Sequence, residues 1–443
     1  MTTATIKAGS ELSEQVHDFV IRDFTPHYGE RDREFGSDPL WQSFLDLGTE
    51  LWLDSGNIKD VRGIWTREYS ALTTNNTLLN KEVATGVYDD LISQAADLLA
   101  DFPDLTERER RLEMAFILNA THALRLVEQF DAHVSVEEHT DLAHEVEQAV
   151  EYARRYHAIC PERFYVKIPF TPAGLLATRR ARQEGIPINH TLGFSARQNY
   201  VITRLSFPSF VNVFLGRLNS FVVENDLGSG EYVGEKATLA SQQVVRSLRQ
   251  GRGFETRQIG ASFRDYEQYL NLAGIDVITS PPNVAQELLD QRNELPRIES
   301  RIGQNYVPGI RGDVDSDRIG LDTLWYIEDE LIACVDALER EDIDSFTPEA
   351  LVDFFEAHEC RDLLVRWSNP EIATSAAEGK IPKLRNWADP LAHGSIGLDS
   401  LMNLAGFNSF AADQARMDAH VQEVLRRTGR QRRDGAMDAQ SKS

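Results

Sequence analysis

Cysteine is scarce in this sequence. The three that occur, Cys160, Cys334 and Cys360, form no CxxC and no His/Cys spacing of the kind that holds zinc. Neither a disulfide framework nor a structural metal is indicated, and a reducing compartment is expected. Long apolar runs are missing as well. The longest charge-free apolar stretch, residues 205–216, is far below the ~20 residues of a bilayer-crossing helix, and the opening MTTATIKAGSELSEQ lacks the apolar segment of a signal peptide. A cytoplasmic protein without a membrane partner is the expectation. Positive charge is also in deficit, with 46 Lys plus Arg against 70 Asp plus Glu and a formal charge of −24. Nucleic acid and anionic lipid are held by clustered Lys and Arg, so neither is expected as a partner, and any phosphate bound must meet a local cluster of positive groups. A Gly-rich phosphate loop is absent: GSGEYVG (228–234) has neither G-x-G-x-x-G nor Walker A spacing.

What the 443 residues do contain is a change of period, repeated along the chain. Short β-rich runs occur at LWLD (51–54), ALTT (71–74), HVSVEE (133–138), FYVKIPF (164–170), INHTLGF (188–194), FVNVFLGR (210–217), QIGASF (258–263) and DVITSPP (276–282). Between them lie helical patterns such as Leu91, Ile92, Ala95, Leu98 and Leu99, or Leu239, Val244, Val245 and Leu248. Eight strand-then-helix units predict an α/β chain closed as a (β/α)8 TIM barrel over residues 41–300. Residues 1–40 read as an N-terminal extension with one amphipathic helix through Leu12, Val16, Phe19 and Val20. Residues 301–425 read as a linker and C-terminal helices packing on the barrel, either over its mouth or at a subunit contact, in a monomer or homodimer. One helix is predicted to start at Thr347 as N-cap with Pro348 following. Residues 426–443, with five arginines and no apolar period, read as a disordered tail. The Asp313, Asp315, Asp317 series lacks the glycine and the bidentate glutamate of a calcium loop and reads as a solvated turn.

In such a barrel the chemistry sits at the C-terminal ends of the strands. The residues there are Asp54, then Thr73, Thr74 and Asn75, then Glu137 and Glu138, Lys167, Asn189 and Thr191, Arg217, and finally Ser262 and Arg264. Lys167 lies among apolar neighbours in FYVKIPF, a setting that strips water from an ammonium ion and favours the neutral, nucleophilic amine. Taken alone, a strand lysine is more often paired with an acid inside the barrel. Two carboxylates from other strands, Asp54 and Glu137, supply the proton transfers that imine chemistry requires. Arg217 and Arg264 can form a forked clamp for a distant phosphate.

These residues carry a resemblance. LWLD (51–54), TTN (73–75), VSVE (134–137), VKIP (166–169), NHTLGFS (189–195), FLGR (214–217) and GASFR (260–264) occur in the order and with the spacing of the transaldolases, over about residues 50–283. The resemblance implies transfer of a dihydroxyacetone unit from a ketose phosphate, such as fructose 6-phosphate or sedoheptulose 7-phosphate, to an aldose phosphate in the pentose phosphate pathway. It implies no metal and no organic cofactor. Lys167 is the implied Schiff-base residue, Asp54 the group handling the proton of the breaking bond, and Glu137 with Thr191 the holders of a proton-shuttling water. Asn75 and Asn189 are implied to bind substrate hydroxyls, with Thr73 and Ser262 beside them, and Arg217 and Arg264 to take the phosphate.

The sequence departs from the family pattern in two motifs. Asn76 stands where the family usually has proline, and Asn212 where a phosphate-binding serine is common. Phe214 separates two activities: related aldolases that release free dihydroxyacetone carry a tyrosine there, whose hydroxyl can help protonate the carbanion, so phenylalanine favours transfer. The alternatives are a class I aldolase of that kind and a non-catalytic barrel that only binds sugar phosphates.

Overall fold

The computed structural model describes residues 6–29 and 35–441, with side chains described as far as residue 429. Eight parallel strands close into a barrel in sequence order. They are β1 (Glu50–Asp54), β2 (Tyr69–Thr73), β3 (His133–Glu137), β4 (Phe164–Pro169), β5 (Ile188–Thr191), β6 (Phe210–Phe214), β7 (Arg257–Ala261) and β8 (Val277–Ser280). Every strand expected from the sequence is present, and the differences lie at the ends. β6 stops at Phe214 and a helix, Leu215–Glu224, begins at once, so Arg217 occupies the first turn of that helix instead of ending the strand. β7 stops at Ala261 because Ser262 turns into the left-handed region at φ 69°, which puts Ser262 and Arg264 on the following loop.

Side chains alternate between the two faces of a strand, and in this barrel the alternation can be calibrated. Trp52 of β1, Tyr165 of β4 and Phe210 of β6 come from strands that are not neighbours, yet their rings touch. The centroids lie 5.7 Å apart for Trp52 and Tyr165, 4.8 Å for Trp52 and Phe210, and 5.0 Å for Tyr165 and Phe210. Only the barrel interior allows such contacts, so these three rings plug its lower half. Below them Glu50 pairs with Arg257 and accepts the Trp52 indole N–H at 2.9 Å. Two residues further along each strand, toward the C-terminal end, the inward positions are Asp54, Lys167 and Asn212. The plug fills one end of the barrel and leaves the reactive groups facing the other.

Additions flank the barrel. The helix Glu11–Ile21, capped by Ser10, buries Leu12, Val16 and Val20 against the helices Glu107–Phe130 and Val146–Ile159. Other parts of the 1–40 extension, residues 1–5 and 30–34, lie outside the described residues. The Asp series proves to be turn chemistry: Asp313 pairs with Arg311, and Asp315 caps the short helix Ser316–Ile319. The apolar residues between Leu321 and Leu338 are divided between a 3-10 turn, Leu321–Leu324, and a helix, Asp329–Leu338. Thr347 caps the helix Pro348–Ala357 as predicted, accepting from the Ala350 N–H. The last helix runs Leu398–Ser441 and so occupies most of the stretch read as a disordered tail. Extending an anchored helix avoids the cost of nucleation, and this stretch contains Arg, Gln, Ala and Met, which suit a helix. Among the described residues no helix is long and apolar enough to cross a membrane.

That final helix lies across the barrel mouth. Asn403 donates to the Leu192 carbonyl after β5 at 3.1 Å, Phe410 packs on Phe214 at the end of β6, Asp413 accepts from Thr77 after β2, and Asp418 contacts His139 after β3 at 3.2 Å. Its start is fixed by Arg197. This buried guanidinium bonds Asp399 twice, at 2.9 and 2.7 Å, and Asp362 at 2.7 Å, while Ser195 donates to the same Asp399 carboxylate. Arg197→Met would strand the fully buried Asp399 without its cation. We expect a loss of about 3–5 kcal/mol in urea unfolding monitored by tryptophan fluorescence; an unchanged midpoint would show that the ion pair does not hold the helix.

Candidate active site

One cavity opens at the C-terminal ends of the strands. Its lining includes Asp54, Thr73, Asn75, Lys167, Asn189 and Thr191, and also Asn212, Phe214, Arg217, Ser262 and Arg264. Of the residues singled out in the sequence, the barrel therefore brings eleven to this one cavity. Glu137, paired in register with Lys167 across β3 and β4, is buried and does not line it, and neither do the buried Thr74 and Glu138.

Lys167 is buried, and its Nζ donates to the Thr74 carbonyl at 2.9 Å. Among the described residues it forms no ion pair with a carboxylate, so the ordinary reading of a buried strand lysine does not hold here. Glu137 is buried too. Its Oε2 accepts from the main-chain N–H of Asn76 at 3.0 Å, a bond that the proline expected at this position could not donate. Burial raises the Glu137 carboxyl above its ordinary range, while Lys167 and the Asn76 N–H pull it back only in part. Thr191 Oγ1 is buried and makes no hydrogen bond, which leaves it able to hold a small polar molecule between β5 and its neighbours. Asp54 accepts from Thr73 Oγ1 at 2.8 Å, and Thr73 and Thr279 hydroxyls lie 2.9 Å apart.

The amides divide into free and committed groups. Asn75 caps the helix Asn76–Ala84 with its side-chain oxygen, which accepts from Leu78 N–H at 2.9 Å. Its amide NH2 is left for a ligand. Asn189 donates to Ser135 Oγ at 3.0 Å. Asn212 donates to the His190 carbonyl and to Asn189 and accepts from Gly193 N–H at 3.2 Å. This amide ties β5 to β6, and its bonds are largely spent inside the protein; the hydroxyl expected there by resemblance would reach less far.

At the other end of the cavity two guanidiniums converge. Arg217 lies between two rings, 5.3 Å from the Phe214 centroid and 5.4 Å from that of Phe410, and its buried Nη1 has no hydrogen-bond partner. Burial, reinforced by Arg264, lowers its pKa to about 10, so it stays charged at neutral pH. Burial also lowers that of Arg264, against the pull of Asp54. Neither is paired with a carboxylate among the described residues. Two unpaired cations facing one cavity form an anion site. The remaining lining residues were not singled out in the sequence. Thr279 follows from the inward alternation along β8, whereas Lys380 and Phe410 reach the cavity from segments more than a hundred residues past Arg264, through docking that no local pattern reports.

A match to the transaldolase/fructose-6-phosphate aldolase family covers residues 51–350. The transaldolase of Xanthomonas euvesicatoria pv. vesicatoria is 29% identical over 231 residues, which is 51% of this chain and 71% of that protein. The probable transaldolase of Dictyostelium discoideum is 28% identical over 225 residues, 49% of this chain and 69% of its own length. That of Nostoc sp. is 26% identical over 285 residues, 62% and 82% of the two chains.

The arginine pair depends on a close backbone approach. A Cβ on Gly216 would lie 2.1 Å from the Ser262 carbonyl oxygen and 2.8 Å from Arg264 Cγ, so Gly216→Ala must displace the loop that carries Arg264. We expect about 1–3 kcal/mol of destabilisation and loss of most of the melting-temperature rise that inorganic phosphate gives the wild type over chloride at equal ionic strength. A variant stabilised by phosphate as strongly as the wild type would show that the approach is not needed.

Proposed function

Because the chain belongs to the transaldolase/fructose-6-phosphate aldolase family, we propose that it is a transaldolase of the cytoplasmic pentose phosphate pathway, moving a dihydroxyacetone unit from a ketose phosphate to an aldose phosphate through a Schiff base on Lys167. The observation that carries this reading is a buried amine without an acidic partner, surrounded by a carboxylate from each of two other strands and a free hydroxyl from a third.

In this reading the Lys167 amine attacks C2 of the ketose and forms a carbinolamine. Glu137, with its affinity for protons raised by burial, delivers a proton to the departing hydroxyl through a water held by Thr191, and water leaves as the iminium forms. Asp54 takes the proton from the C4 hydroxyl. The C3–C4 bond breaks, the aldose phosphate departs as an aldehyde, and the electron pair passes into the iminium as an enamine. Asn75 and Asn189 hold the hydroxyls of the bound three-carbon unit. Its C3 then attacks the aldehyde of the acceptor, Asp54 returns the proton, and water releases the new ketose from Lys167. Arg217 and Arg264 hold the phosphate of the departing and arriving sugars. Phe214 favours transfer over release, since its ring offers the carbanion no proton.

Borohydride added with fructose 6-phosphate should fix a dihydroxyacetone-derived mass on the peptide containing Lys167. Absence of the adduct from folded protein would remove the mechanism. Lys167→Arg should abolish turnover, because a guanidinium stays protonated and cannot attack a carbonyl. Glu137→Gln should slow imine formation by about 10²–10⁴ while leaving the adduct trappable. Release of dihydroxyacetone without an acceptor, at a rate matching transfer to erythrose 4-phosphate, would assign the chain to the aldolases instead.

A further inference from the structure

Charge at the barrel mouth runs against that of the chain as a whole. The protein carries a formal charge of −24, yet the cavity is lined by Lys167, Arg217, Arg264 and Lys380 against one carboxylate, Asp54. Lys380 is the outlier of this set. It comes from the C-terminal segment, beyond the residues 51–350 that match the family. On the premise that the cavity takes sugar phosphates, we propose that Lys380 is a third ligand of the phosphate group, and that the C-terminal segment turns a two-arginine clamp into a mouth selective for dianions.

Three observations support this assignment. The first is placement. Lys380 lines the cavity together with Arg217 and Arg264 and lies near enough for their charges to act on it, with Asp413 opposing them and Lys81 adding to them. The second is the lack of a fixed counter-ion: its amine makes no ion pair among the described residues, whereas Lys383 on the same turn pairs with Glu224 at 2.7 Å. Three cations converging without fixed partners repel one another, and a bound dianion relieves that repulsion.

The third observation is rigidity. The turn bearing Lys380 is fastened to the helix Leu215–Glu224, whose first turn carries Arg217. Asn225, which caps that helix, donates to the Pro382 carbonyl at 3.0 Å and accepts from Leu384 N–H at 2.8 Å. Glu378 accepts from Lys383 N–H at 3.0 Å and from the Trp387 indole at 2.9 Å. The backbone on which Lys380 stands is therefore held relative to Arg217 before any ligand arrives, and only the exposed lysine stem has to be ordered on binding. The chemistry is complementary: the guanidiniums present forks, and the ammonium supplies a compact charge with three donors for an oxygen they leave uncovered.

The test compares the full-length wild type with Lys380→Met and Lys380→Arg. Loss of one charge-assisted hydrogen bond predicts, for Lys380→Met, an increase of about tenfold in KM for fructose 6-phosphate and a similar loss of affinity for inorganic phosphate in calorimetric titration. kcat should be little changed, because the contact persists from ground state to transition state. Catalytic efficiency should fall for erythrose 4-phosphate as acceptor and not for unphosphorylated erythrose, and Lys380→Arg should restore most of each loss. Equal phosphate affinity in wild type and Lys380→Met would overturn the proposal. An equal loss for both acceptors, unrescued by arginine, would also overturn it and make Lys380 a structural residue. Should the wild type show neither transfer nor release, the transaldolase reading alone falls, and the phosphate titration still decides the role of Lys380.

Discussion

The arrangement at the barrel mouth depends on one buried guanidinium. Arg197 joins three pieces of chain that are remote in sequence: the helix after β5, the loop at Asp362, and the start of the last helix at Asp399. Gly397 sits so close that a Cβ there would lie 2.0 Å from Arg197 Nη2, and its own N–H bonds the Asp362 carbonyl at 2.9 Å. Buried ion pairs are modest stabilisers when compared with apolar packing, but they penalise misplacement heavily, because each stranded charge would lie in low dielectric. The contact thus fixes position and direction. From Asp399 the helix can run only across the strand ends, and Phe410 and Asp413 arrive three and four turns later.

Below the mouth, the barrel solves a different problem. Its interior must be filled to be stable, yet open at one end to admit a substrate. The interlocked rings of Trp52, Tyr165 and Phe210 fill the lower half, and the two-residue step of a strand places Asp54, Lys167 and Asn212 directly above them. The polar layer is held by its own hydrogen bonds, such as Thr73 to Asp54 and Asn212 to Asn189. Orientation of the reactive groups follows from packing beneath them.

This explains which parts were legible beforehand. Strand periodicity and the polar residues at strand ends follow from local sequence, so the barrel and most of its cavity lining can be read without coordinates. Lys167 could be placed in a strand, but whether it met an acid depended on neighbours from β2 and β3, which no single motif reveals. Arg217 lies three residues past the end of the strand, and nothing in FVNVFLGR marks where the strand becomes a helix. The cavity-lining roles of Lys380 and Phe410 were invisible, since they arise from the docking of a distant helix and a stapled turn. The terminal stretch carries no apolar period of its own, and the helix runs through it only as an extension of a docked segment.

The bond from Asn76 to Glu137 has an evolutionary consequence. The donor is a peptide N–H, and nineteen of the twenty amino acids carry the same group. Drift at this position therefore leaves the grip on the carboxyl unaltered, whatever side chain is drawn, and only an imino acid removes it. A lineage that leaves proline at this site gains a contact that later mutation there can hardly lose, so the change acts as a ratchet on the acidity of its neighbour.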